Sequence, residues 1–184
     1  MVMLIQIANL ILQVLVSIVA GACLLRCYLQ WLAFNLGAGQ SKSIGAYVLP
    51  LSNWIVLPLR RFVPSIGRFD LASCVAAYLL ILAKISILLL ISGATSIDIS
   101  WLALALVDML NLTLSGLVGL VFINIILSWV GTGTQIQFLV SLLVNPLLTP
   151  IRRVIPNFGA LDLSPLALLL ILQILQIILG NLKI

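Results

Sequence analysis

Four apolar stretches, each long enough to cross a bilayer, constrain the fold of this chain more than any other feature of its sequence. A hydrocarbon core about 30 Å thick takes about 20 helical residues at a rise of 1.5 Å. The first stretch starts at Leu4 and is apolar to Leu25, extending to about residue 30. The second runs from Leu71 to Ile91, broken only by Lys84. The third, about residues 102–130 within Trp101 to Val130, is long enough to require tilt or protrusion. The fourth runs from about Leu163 to Leu182. The first has no Lys or Arg before it and outlasts the apolar core of a secretory signal, so we read it as a retained span.

Composition closes off most other classes. Hydrophobic residues make up 64% of the chain and charged residues 7%, against about a quarter charged in soluble domains. There is no His and no Glu, which removes His-based metal sites, Ser/His/Asp triads and HExxH chemistry. The sequence therefore predicts no cofactor, no metal and no enzymatic activity. Cys23, Cys27 and Cys74 form no disulfide framework and read as small buried thiols. The net charge of +5 lies beside apolar runs and lacks the aromatic-interleaved stripe of a nucleic-acid binder. Anionic lipid, rather than nucleic acid, is the expected counter-charge.

The basic residues also orient the spans. Lys42, Arg60, Arg61 and Arg68 fall in the first connection and Arg152 and Arg153 in the third, whereas the second has only Asp98. The positive-inside tendency places the first and third connections in the cytoplasm and both termini outside. Lys183 is the one dissenting charge. Arg26 agrees, because it falls near the cytoplasmic end of the first span, where its stem can snorkel.

A repeated block organises the chain further. Asn53, Pro58, Arg60, Arg61, Pro64, Gly67, Asp70 and Leu71 recur without a gap as Asn145, Pro150, Arg152, Arg153, Pro156, Gly159, Asp162 and Leu163, a displacement of 92 (145 − 53). In the odd-numbered spans the displacement is 98 (115 − 17): Ser17, Gly21 and Trp31 recur as Ser115, Gly119 and Trp129, and Gln13, Arg26 and Gln30 fall opposite Asn111, Asn124 and Ser128. Lys84 falls opposite Gln176. The expected fold is an all-α membrane protein. Its four transmembrane helices form two helical hairpins in a parallel repeat, residues 1–92 and 93–184, with short interfacial helices at the cytoplasmic face.

The runs Ile44 to Leu59 and Ile136 to Leu148 are too short to span, and Pro50, Pro58, Pro146 and Pro150 are expected to stop regular helix within them. Arg60, Arg61, Arg152 and Arg153 then emerge at headgroup level. They either only anchor topology or bind a lipid headgroup or a membrane partner, since a guanidinium fork suits phosphate oxygens. Gly67 and Gly159 supply a turn, and Asp70 and Asp162 either cap the following span or pair with a nearby Arg. Ser17 with Gly21 and Ser115 with Gly119 are small-xxx-small patterns that mark where the first and third spans meet.

Lys84 and Asp108 lie at matching depth on antiparallel spans, which predicts an ion pair with Asn111 and Gln176 near it. Such a pair is either structural glue or part of a polar path, and the Lys could instead snorkel outward.

The doubled Pro-[Leu/Ile]-Arg-Arg-x-x-Pro-x-x-Gly-x-x-Asp block, with Arg26 and Gln30-Trp31 closing the first span, resembles the two-copy bacterial form of the YggT family. That family is similar to the YlmG proteins, which usually carry one copy. The resemblance implies an integral protein of the bacterial inner membrane without known enzymatic activity, tied in bacterial members to osmotic or extracytoplasmic stress tolerance. In plastid relatives it implies cytochrome b6f assembly and nucleoid distribution. Asn124 stands where the first half has Arg26, so any role of that Arg belongs to one half. The leading expectation is a structural or assembly protein engaging anionic lipid, a membrane partner or a second copy. The alternative is a small channel or transporter component using Lys84 and Asp108.

Overall fold

The computed structural model describes residues 2–32, 42–65, 69–92, 100–131, 133–154 and 162–182. Over these it is all-helical: α1 (Val2–Trp31), α2 (Lys42–Leu59), α3 (Leu71–Ser92), α4 (Ser100–Val130), α5 (Gln135–Val154) and α6 (Ser164–Asn181). Four stretches, Gln6–Trp31, Leu71–Ile91, Ser100–Val130 and Ser164–Asn181, are long and apolar enough to cross a bilayer. They coincide with the runs read from sequence to within a few residues. Their outward faces are aliphatic: Leu10, Leu90 and Ile177 are 65%, 79% and 65% exposed, which suits lipid and not water.

α2 and α5 correct an expectation. They are single helices of 18 and 20 residues that run through Pro50 and Pro58 and through Pro146 and Pro150. Each proline removes one backbone donor, and hydroxyls bond carbonyls beside the lesions: Ser52 Oγ donates to Val48 O at 2.9 Å and Thr149 Oγ1 to Asn145 O at 2.8 Å. The ladder is thinned and not broken. Of α2, the stretch Val48–Leu59 is apolar and too short to span.

The chain packs as two compact units, residues 1–112 and 113–184. In the first, α1, α2 and α3 pack on one another, and the core is built from small side chains: Ala20, Cys23, Val56, Ala72, Ala76, Ala77, Ile81 and Ala105. Side chains this small let helix backbones approach closely. In the second, α5 packs on α6 and the core is bulkier, formed by Val121, Val144, Leu148, Leu168 and Leu172.

The boundary between the units lies inside α4, 20 residues beyond the division expected from the sequence (112 − 92). Ala105, Met109 and Leu112 belong to the first core, so the opening turns of α4 complete the unit before them. The turn into α5 uses Gly131 and Gly133, both at positive φ (61° and 55°), where a Cβ would be strained. Gln137 Oε1 then accepts the Gly133 N–H at 2.9 Å, satisfying a donor at the start of α5.

Candidate functional site

Among the described residues, a polar cluster lies where α1, α2 and α3 of the first unit come together. α1 carries Arg26 to this end, with its side chain 5% exposed. Its Nη1 donates to Asn53 Oδ1 at 2.7 Å and to Ser52 Oγ at 3.2 Å, both on α2, and its Nε lies 3.5 Å from Asp70 Oδ2. Arg60, just past the end of α2, donates from Nη2 to the same Asp70 oxygen at 2.6 Å. Asp70 is fully buried and its Oδ2 also accepts the Ser73 hydroxyl at 2.8 Å. Burial opposes ionisation of Asp70. The bond from Arg60, that from Ser73 and the two guanidinium charges outweigh it and hold the carboxyl below the ordinary carboxylate range. One carboxylate is thus shared by two cations.

The second unit repeats half of this arrangement. Arg152 donates from Nη2 and Nε to Asp162 Oδ2 at 2.8 and 3.0 Å, ten residues apart as in Arg60 and Asp70. Asp162 Oδ1 accepts the backbone N–H of Ser164 at 3.0 Å, so this acid also caps the start of α6. Burial raises its pKa, but the Ser164 and Arg152 contacts win and the net shift is downward. Asn124, in the place of Arg26, accepts a hydrogen bond from Ser141 Oγ at 3.1 Å. Without that second cation the pair is open: the Arg152 and Asp162 side chains are 43% and 34% exposed.

Each doublet therefore divides. Its first Arg is held by an acid, whereas its second, Arg61 or Arg153, is exposed and has no ion-pair partner among the described residues. Phe62, next to Arg61 in the chain, is 85% exposed, and Trp54 on α2 is 63% exposed. Pro58, Pro64 and Pro150 are exposed as well. Gly67, Arg68, Asp98, Pro156, Gly159 and Lys183 lie outside the described residues.

Within the spans of the first unit, Lys84 Nζ on α3 lies 3.2 Å from Asp108 Oδ2 on α4 and donates to Gln13 Oε1 on α1 at 3.2 Å. Asn111, three residues beyond Asp108, is half-buried. In the second unit Gln176 Nε2 donates to Ser115 Oγ at 2.9 Å. A Cβ built at Gly21 or Gly119 would meet no heavy atom within 4 Å, and Ser17 is half-buried on α1. Among the described residues no group of three or more Cys or Asp is placed to hold a metal ion.

The sequence profile of the CCB3/YggT family matches residues 5–92 and 103–183. The chain belongs to the CCB3/YggT family. Among its relatives, YggT of Escherichia coli K12 is 31% identical over 167 residues, covering 90% of this chain and 85% of its own. A Pseudomonas aeruginosa protein is 34% identical over 93% of this chain and 87% of its own. The Vibrio alginolyticus protein of the proC 3′ region is 36% identical over 73% and 75%. No solved structure matches.

Several residues of this CCB3/YggT chain that carry the polar clusters are invisible to a motif search. Ser52 and Ser73 have no counterpart in the repeat, and Gln13 gives no sign that it reaches Lys84. Asn53 does leave a signal: it recurs as Asn145, whose Oδ1 lies 3.5 Å from Arg152 Nη1, so both copies of this Asn serve an Arg. The cysteines correct an expectation. Only Cys23 is fully buried, while Cys27 and Cys74 are half-buried and their sulfurs lie 3.0 Å apart.

Proposed function

We propose that this CCB3/YggT protein is a non-catalytic, multi-pass scaffold of the bacterial inner membrane that holds anionic lipid headgroups through Arg61 and Arg153. On this reading both Arg-bearing connections face the cytoplasm, the termini face the periplasm, and the protein serves membrane assembly or stress tolerance. The observation that supports it most is the division within each doublet: Asp70 and Asp162 occupy Arg60 and Arg152, leaving Arg61 and Arg153 exposed. A free guanidinium fork matches phosphate oxygens, and the exposed Trp54 is a residue type that settles at the headgroup level. Each such cation contributes about 1 kcal/mol near an anionic leaflet, so the two together contribute about 2 kcal/mol, or about 30-fold in lipid retention.

The test is native mass spectrometry of the full chain from nanodiscs of mixed phosphatidylglycerol and phosphatidylcholine. R61Q/R153Q should lose retained phosphatidylglycerol by about that factor while keeping its unfolding midpoint. Unchanged retention would refute the reading. The half-buried Lys84–Asp108 pair favours a second reading, a channel or transporter component, in which replacing both charges abolishes solute flux in proteoliposomes; a scaffold tolerates that change.

A further inference from the structure

The Cys27 and Cys74 sulfurs face each other across α1 and α3 at 3.0 Å, closer than the lipid assignment or the repeat requires. A disulfide bond is about 2.05 Å long, so the two sulfurs need to approach by only about 1 Å. We infer that Cys27 and Cys74 are a redox modification site that closes to a reversible inter-helix disulfide when a small hydroperoxide reaches this end of the first unit.

Position supports both reaction and access. Cys27 lies four residues before the end of α1 and Cys74 three residues after the start of α3, at the end of the unit where Arg60, 38% exposed, pairs with Asp70. Cys74 also lines an open apolar groove of about 510 Å³ with Tyr78, Leu102, Leu106 and Met109. The remaining thiol does not compete. Cys23 is fully buried one turn before Cys27 on the same helix, where Cβ atoms stand about 5–6 Å apart, beyond the roughly 3.5–4.5 Å that a disulfide spans.

The chemistry balances with the peroxide as sole oxidant. One thiol attacks the O–O bond, becoming a sulfenic acid and releasing water from hydrogen peroxide or the alcohol from an organic hydroperoxide; the second sulfur displaces its hydroxyl, forming S–S and releasing water. Two electrons pass from the sulfurs to the peroxide. A dithiol reductant returns both thiols by exchange.

Closure would staple α1 to α3 next to the shared carboxylate, because Cys27 follows Arg26 in the chain and the Cys74 N–H bonds to Asp70 O at 3.2 Å. The repeat places Ile125 (27 + 98) and Leu166 (74 + 92) at the corresponding positions of the second unit, so oxidation acts on the first alone.

The test treats the full chain in native membranes with hydrogen peroxide, denatures it in SDS and labels free thiols with maleimide-polyethylene glycol. Reduced protein carries three adducts, one per cysteine. Oxidised protein should carry one, on Cys23, and dithiothreitol should restore all three. Peptide mass spectrometry should find Cys27 joined to Cys74 with the loss of two hydrogen atoms. C23S should still close this bond, and C27S and C74S should not. Three adducts after oxidation, a Cys23–Cys27 bond or a disulfide between two chains would each overturn the inference. Mapping the native sequence alone decides it where a variant fails to fold.

Discussion

Asp70 and Asp162 occupy the same place in the repeated block, yet removing their charges should have unequal consequences. Asp70 is fully buried between Arg26, 5% exposed, and Arg60. In Asp70→Asn the amide retains the shape and can still accept from Ser73, but Arg26 becomes a buried cation without a counter-charge. Breaking a buried pair on one side costs about 3–5 kcal/mol. Asp162 and Arg152 are 34% and 43% exposed. Solvent screening reduces such a pair to about 0–1 kcal/mol, and Asn at 162 retains an oxygen for the Ser164 N–H. Asp70→Asn should therefore exceed Asp162→Asn by about 2–5 kcal/mol, the difference of those ranges. Unfolding of each variant in a dodecyl maltoside and SDS series, followed by far-UV circular dichroism, gives the comparison. Losses equal to within about 1 kcal/mol would refute the argument that burial, and not motif position, sets the value of this acid.

Acid should weaken the protein through the same groups. Both carboxyls are depressed below the ordinary value of about 3.9, so in that window the unfolded chain binds more protons than the folded one. Stability is fully present above the unfolded value and falls as pH drops through the folded ones; unfolding midpoints between pH 7 and 3 should show this, with a shallower slope in Asp70→Asn. Within the spans, Lys84→Met leaves Asp108 without its cation, at a cost of at least about 2.5 kcal/mol. A double-mutant cycle with Asp108→Leu should show the double variant losing less than the sum of the singles, and strict additivity would contradict the pair. Gly119→Ala should gain up to about 1 kcal/mol, since its Cβ meets nothing and Ala favours helix. Gly131→Ala, at φ 61°, should lose about 1–2 kcal/mol in the same unfolding assay.

The spans were legible because hydropathy and length are local. Leu71–Ile91 was readable to the residue, and Ser100–Val130 to within one. α2 and α5 run against what their prolines suggest, because in an apolar helix each proline removes one donor and the rest of the ladder carries the helix through. The site was legible as a list of residue types and not as a set of partners. Sequence makes Arg60 and Arg61 look equivalent; only the path of the chain shows that one meets Asp70 and the other does not. Burial was the least visible quantity, because Asp70 is covered by groups from other helices, among them Arg26 of α1, 44 residues away (70 − 26).

The packing seam inside α4 has a practical consequence for anyone isolating half of this protein. A truncation after residue 92, the division expected from the repeated sequence block, discards Ala105 and Asp108 from the first unit. Lys84 would then enter the lipid with Gln13 as its remaining polar contact. A half-chain carried through Leu112 keeps both its wall and its counter-ion.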